Sequence, residues 1–259
     1  VQHSNGYIIT FSALVCVVCA LFVSGSYVSL KPLQDRNILM DRQKNVLRVA
    51  QLLKPGEKID ADEIRERFDR FIRARIIDLG TGEFNTTLDP ALFDQRAASK
   101  DPEHSRLAPP NPAKVVRLPH QALIYEVMRD GKLESVILPI QGYGLWSTLY
   151  GYIALAPDFN TVRGITYYEQ GETAGLGGEV ENPNWKAKWV GRKVFNERGQ
   201  IKLHVRKGPA GPPETDPYEV DGLSGATLTS RGVTNMLHFW LGKNGFGPYF
   251  ARLRAQANG

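Results

Sequence analysis

The chain has 259 residues, enough for one large or two modest domains and too long for a peptide-sized binder. Its 32 Lys and Arg stand against 27 Asp and Glu, for a formal net charge of +5, and the basic residues are scattered among acidic ones rather than gathered with aromatics, so no nucleic acid is expected as a partner. Cys16 and Cys19 are the only cysteines, which excludes a disulfide framework and thiolate ligation of zinc or iron-sulfur clusters from the rest of the chain.

Tyr7 to Leu30 carry no charged side chain and are rich in Ile, Leu, Val and Phe. A helix of this length covers about 36 Å, more than the ~30 Å hydrocarbon core of a bilayer, so a single membrane-spanning helix in contact with lipid is predicted. A cleaved signal peptide is the competing reading, but its apolar stretch is usually only ~7 to 15 residues and follows a basic residue, and no Lys or Arg precedes this one. Cys16 and Cys19 fall inside the span as packing residues, and Val15 and Val18 before them exclude a lipoprotein cleavage site. The first basic residues, Lys31, Arg36, Arg42 and Lys44, follow the span, which by the positive-inside tendency would hold that side in the cytoplasm; the tendency does not govern large translocated domains.

Lys31 to Leu53 reads as a helical stalk that stops at Lys54-Pro55-Gly56. Asp60 and Glu63 resemble a capping box, and Ile64, Phe68, Phe71, Ile72 and Arg75 trace one face of a helix expected to run to Gly80. Asn85 to Pro119, rich in Pro, Asp, Ser and Ala, reads as a long surface excursion with one short helix. Three hairpins are then expected: Leu123–Met128 with Leu133–Ile140 about Asp130-Gly131, Tyr150–Ala156 with Val162–Tyr168, and Phe195–Val205 about Arg198-Gly199. Val233, Met236, Leu237, Trp240 and Leu241 make the stripe of a helix from about Leu228 to Leu241. The fold class is α+β: a single N-terminal transmembrane helix followed by an antiparallel sheet with flanking helices. The organisation is an anchor at 1–30, a helical stalk and surface region at 31–119, and a ligand-binding domain at 120–259.

Three glycine-bearing stretches carry the candidate chemistry. Gly142-Tyr143-Gly144-Leu145-Trp146 and Glu172-Thr173-Ala174-Gly175-Leu176-Gly177-Gly178 could supply apolar and polar walls for a flat ring. Asp221-Gly222-Leu223-Ser224-Gly225-Ala226-Thr227 runs into the last helix, where unpaired backbone N–H groups favour an anion. Read plainly, the first two are tight turns and the third is an ordinary Ser/Thr cap. No dinucleotide fingerprint, P-loop or G-x-S-x-G elbow is present, and His3, His104, His120, His204 and His238 lack metal-ligand spacing.

The heptapeptide at 221–227 matches the D-x-x-(S/T)-G-A-T signature of flavinylated FMN-binding domains. With the Gly-Leu-Trp and Glu-Thr-x-Gly-Leu-Gly stretches, the chain resembles, along nearly its whole length, the C subunits of sodium-translocating NADH:ubiquinone oxidoreductases. Ala174 stands where that family usually has proline. The resemblance implies FMN held covalently by a phosphoester on Thr227 and installed by a separate flavin transferase with FAD as donor. It implies further that Asp221, Ser224, Gly225 and Ala226 complete the attachment site, and that Leu145, Trp146, Glu172, Thr173 and Leu176 line the ring. No residue is expected to be catalytic and none to bind metal. The implied role is an electron carrier between an iron centre and a flavin of partner subunits, in a bacterial inner-membrane complex, with the soluble domain periplasmic. The G subunits of Rnf-type electron-transport complexes and a membrane-tethered regulatory or assembly protein are the alternatives.

Overall fold

The computed structural model describes residues 4–54 and 56–257, so His3 and Pro55 lie outside the described residues. The chain divides into two units, Val1–Gln43 and Lys44–Gly259. Helix α1 (Asn5–Val49) forms the described part of the first unit and ends within the second. In the first unit its apolar side chains are exposed, Cys16 and Cys19 with them, and its length and composition are those of a helix able to cross a membrane.

The second unit is built on one antiparallel sheet. In chain order its elements are α2 (Ala61–Phe71), β1 (Ile72–Asp78), β2 (Phe84–Asn85), α3 (Gln95–Lys100), β3 (Ser105–Leu107), β4 (Arg117–Pro119), β5 (Gln121–Arg129), β6 (Lys132–Tyr143), β7 (Thr148–Leu155) and β8 (Val162–Glu169). A 3₁₀ turn (Gly177–Glu181), α4 (Pro183–Ala187), β9 (His204–Val205), β10 (Glu219–Val220), α5 (Thr227–Trp240) and α6 (Gly247–Ala257) follow. The sheet order is β2-β1-β5-β6-β7-β8. Period-two alternation sends Ile124, Leu138, Ile140 and Ile153 to a face covered by α5, α6 and the C-terminal loops. Leu123, Tyr125, Ile137 and Tyr152 go to the other face, under the last turn of α1 (Val46, Leu47, Val49) and Ile64 and Phe68 of α2.

Two of the expected hairpins form as β5–β6 and β7–β8. The helix starting at Asp60 does form, with Glu63 N–H donating to Asp60 Oδ1 at 2.8 Å, but it ends at Phe71 rather than Gly80. Ile72–Asp78 is strand β1, paired with β5 from Ile72↔Val127 to Asp78↔Gln121. Ile72, Ala74 and Ile76 alternate onto one face and Ile77 onto the other, a pattern the i, i+4 spacing of 68, 72 and 76 imitates. The 85–119 region holds its short helix, α3, and also the β3–β4 pair. It is tied to the sheet where Leu123 N–H donates to Gln95 Oε1 at 2.8 Å and Arg96 forks onto Glu169.

The third hairpin reduces to one bridge, Phe195↔Ile201, closed by Asn196. Beyond it the chain turns away, because Leu203 and Val205 are buried beneath α5 and Val205 N–H donates to Thr234 Oγ1 at 3.0 Å. β9 then pairs in parallel with β10, which delivers the chain to Asp221. Helix α5 starts at Thr227 and buries Val233, Met236, Leu237 and Trp240 on the sheet, with Trp240 Nε1–H donating to Gln141 O at 2.6 Å. Helix α6, which no sequence signal had marked, anchors through Tyr249 and Phe250, with Phe246 buried just before it.

Glycine sets how close α5 comes to β6. A Cβ at Gly232 would stand 2.5 Å from Tyr143 O and 2.9 Å from Gly144 Cα, both backbone atoms. In Gly232→Ala the helix-propensity gain of about 1 kcal/mol opposes an overpacking cost of ~1–3 kcal/mol. Chemical denaturation is expected to show a net loss of about 1 kcal/mol; a more stable variant would show that the contact can relax.

Candidate functional site

The three glycine-bearing stretches converge at the N-terminal end of α5. The 142–146 stretch is the turn from β6 to β7, the 172–178 stretch leaves β8, and 221–227 links β10 to α5. The carboxylate of Glu172 joins two of them to the helix. Its Oε1 accepts from the N–H groups of Leu145, Trp146 and Ser147 at 3.1, 2.9 and 3.1 Å, and its Oε2 accepts from Thr229 Oγ1 at 2.6 Å. The residue is only 8% exposed. Burial raises its pKa, but the Thr229 hydroxyl and the amides outweigh that and hold it below the ordinary glutamate range. Gly144 and Gly177 permit this approach, since a Cβ at either would lie 2.7 Å from a Glu172 carboxylate oxygen.

Asp221 plays a similar part in the third stretch. Its Oδ2 pairs with Lys188 Nζ at 2.5 Å, its Oδ1 accepts from Ala210 N–H at 3.2 Å, and its backbone oxygen accepts from Trp185 Nε1–H at 2.8 Å. Burial again acts upward, and Lys188 with the Ala210 amide holds the carboxyl below its usual range. The turn that follows contains Gly225 at φ +70°, a conformation that favours glycine. Leu223 N–H donates to Ser230 Oγ at 3.1 Å. Ala226, buried, is the N-cap of α5 and supplies no side-chain cap, so the Ser/Thr capping reading does not hold at this helix start.

Thr227 is exposed at the first helical position, and among the described residues its hydroxyl has no hydrogen-bond partner. The first N–H groups of a helix also lack intrahelical acceptors. Ser224 and Gly225 are exposed beside it. Leu176, 43% exposed, overlies Gly225, where a Cβ would meet its Cδ2 at 2.8 Å. Trp146 is 66% exposed and Leu145 half-buried, while Thr173 is exposed and its carbonyl accepts from Leu176 and Gly178 N–H. Leu145, Trp146, Thr173 and Leu176 are therefore free to meet a ring, whereas Glu172 and Asp221 spend their carboxylates on holding the loops. An exposed hydroxyl, a helix start and nearby apolar side chains suit a phosphate-bearing group with an aromatic end.

Sequence reasoning missed several participants. Thr229, Ser147 and Lys188 complete the two carboxylate hubs. Thr227 also opens onto a cleft of about 260 Å³ lined by Arg206, Lys207, Gly222, Ser230, Arg231 and Thr234, among others. Its helical part was visible as the i, i+3, i+4, i+7 spacing of 227, 230, 231 and 234. Arg206 and Lys207 carried no local signal.

Such a domain is of the FMN-binding class: residues 144–242 match the FMN-binding domain family. Within that class the chain belongs to the NqrC family, the C subunits of Na(+)-translocating NADH-quinone reductases. It is 45% identical to the Pseudomonas aeruginosa member over 256 residues, covering 98% of this chain and 97% of the relative. It is also 45% identical to the Yersinia pestis member, over 99% of this chain and 96% of that one. The crystal structure of Shewanella oneidensis NqrC superposes with a TM-score of 0.77 at 37% identity, covering 86% of this chain and 99% of the other.

Because its folded pKa is lowered, Glu172 contributes stability that is complete above the unfolded value of about 4.3 and is lost as pH falls through the folded pKa. Glu172→Gln is expected to lower stability by about 2–3 kcal/mol near neutrality. The gap from wild type should shrink as pH drops below ~4.3. A gap independent of pH down to acid unfolding would contradict the assignment.

Proposed function

We propose that this chain carries FMN covalently on Thr227 and relays electrons between redox centres of partner subunits in a membrane-bound, ion-translocating NADH:quinone reductase. The observation that carries the reading is the exposed Thr227 hydroxyl, unbonded among the described residues, at the end of a turn braced by Asp221. Attachment through the phosphate leaves the flavin ring free for the redox chemistry that FMN supplies when bound. The chain's own residues position it: Asp221 and Gly225 shape the turn, Ser224 and Ala226 flank the attachment point, and Leu145, Trp146, Thr173 and Leu176 border the ring. Glu172 holds the 145–147 turn in place.

No hydrogen bond ties Thr227 Oγ1 to a base among the described residues, which accords with installation by a separate flavin transferase. Helix α1 spans the bacterial inner membrane once and the second unit lies in the periplasm, where such a transferase acts. The partners are iron-sulfur and flavin subunits of the complex together with membrane lipid.

On a denaturing gel viewed for flavin fluorescence, the chain produced with the transferase is expected to give a band, Ser224→Ala to keep it, and Thr227→Ala to lose it. A dark wild-type band, or a fluorescent Thr227→Ala, contradicts covalent attachment at this residue. For orientation, a cysteine engineered at exposed Lys132 should react with a membrane-impermeant thiol reagent in intact spheroplasts; protection there overturns the periplasmic assignment.

A further inference from the structure

The cleft beside Thr227 has a charge surplus that one attached phosphate does not explain. It runs from Thr227 along the 230, 231 and 234 side of α5 and is walled opposite by residues 205–208. Gly222 brings those walls together: its N–H donates to Gly208 O at 2.9 Å, and a Cβ there would lie 2.4 Å from Arg206 O. Three cations line the cleft. Arg206 is neutralised by Glu219 at 2.6 Å and lies 3.9 Å from Asp216. Lys207 and Arg231, both exposed, have no carboxylate within ion-pair distance among the described residues. A phosphodiester on Thr227 carries about one negative charge, so two unpaired cations beside it leave room for a second anionic group.

The chemistry of attachment identifies that group by class. Joining a phosphate monoester to an alcohol in water expels water and is uphill, so the flavin must arrive as a phosphoanhydride, with its phosphorus already bonded through oxygen to a second phosphate. We infer that the cleft seats the leaving phosphate of this flavin phosphoanhydride donor, with Lys207 and Arg231 as positioning residues for the transfer; the inference rests on the reading of Thr227 as the attachment point. In the step, Thr227 Oγ1 attacks the phosphorus that bears the flavin chain. The new Oγ1–P bond forms as the anhydride P–O bond breaks, the second phosphate departs as a nucleoside monophosphate, and the hydroxyl proton is released to solvent. Nothing is oxidised or reduced. The attacked pyrophosphate carries two negative charges, matched by the two unpaired cations, and the negative charge that grows on the departing oxygen is what they stabilise.

The test uses full-length chain made without the transferase, then incubated with purified transferase and FAD, with the initial rate of flavin incorporation read from in-gel fluorescence. Lys207→Glu/Arg231→Glu is expected to slow incorporation about tenfold or more even at saturating transferase. Lys207→Arg/Arg231→Lys should stay near the wild-type rate, which guards against a folding defect, and Lys132→Glu, remote from the cleft, controls for net charge. A charge-reversed variant that labels at the wild-type rate overturns the inference, as does a defect that vanishes at saturating transferase, since the cations would then dock the enzyme rather than the phosphate. If Thr227→Ala incorporates flavin, the attachment reading itself fails; if only the cleft variants behave as wild type, that reading stands and this one falls.

Discussion

A single buried carboxylate holds the site together. Glu172 collects three consecutive amides from the β6–β7 turn and a hydroxyl from the first turn of α5, so that strand turn, post-β8 loop and helix start share one anchor. The arrangement is stable because every donor is aimed at an ionised acceptor in a place water barely reaches, where charge-assisted hydrogen bonds are strongest. Neutralising the acceptor would strip the charge from three amide bonds at once and weaken the hold on the turn. Small residues make it geometrically possible: Gly144 and Gly177 clear space for the carboxylate, and Gly232 lets α5 press on the turn it helps to hold.

Asp221 repeats the logic on the other approach to α5, with an ammonium, an amide and an indole N–H gathered around one residue. Two acidic residues that a motif reading places at a ligand are thus occupied with the protein itself. The consequence is a division of labour. Carboxylates set the loops, while exposed groups, the Thr227 hydroxyl and the Trp146 and Leu176 side chains, face outward. That separation leaves the Thr227 hydroxyl without a carboxylate partner among the described residues, since Glu172 and Asp221 are already engaged by amides, a hydroxyl and an ammonium.

Much of this was legible in the order of residues. The β5–β6 and β7–β8 hairpins follow from alternation and from turn chemistry at Asp130-Gly131 and Asp158-Phe159-Asn160, and α5 follows from its apolar stripe. Elements that depend on distant partners were not legible. β1 looks helical until β5 is there to pair with it, and the Phe195–Val205 hairpin dissolves because Val205 finds Thr234 and β10 instead. Motif spacing singled out Thr227 and Glu172 as candidates, but Lys188, Thr229 and the cations of the cleft come from other segments and have meaning only once those segments meet.

The parallel β9–β10 pair, two residues long on each strand, places the turn before Thr227 by joining segments that are far from the other braces of the site. Residues 188 and 210 brace that turn through Asp221, and residues near 145 and 172 hold the first turn of α5 through Thr229. Contacts so widely separated along the chain each carry a loop-closure cost, which is repaid only when the segments they join are held together by the rest of the fold. The hydroxyl at the tip of α5 is therefore presented by the finished domain and not by the nascent chain, so any chemistry that requires its presented form also certifies that folding is complete.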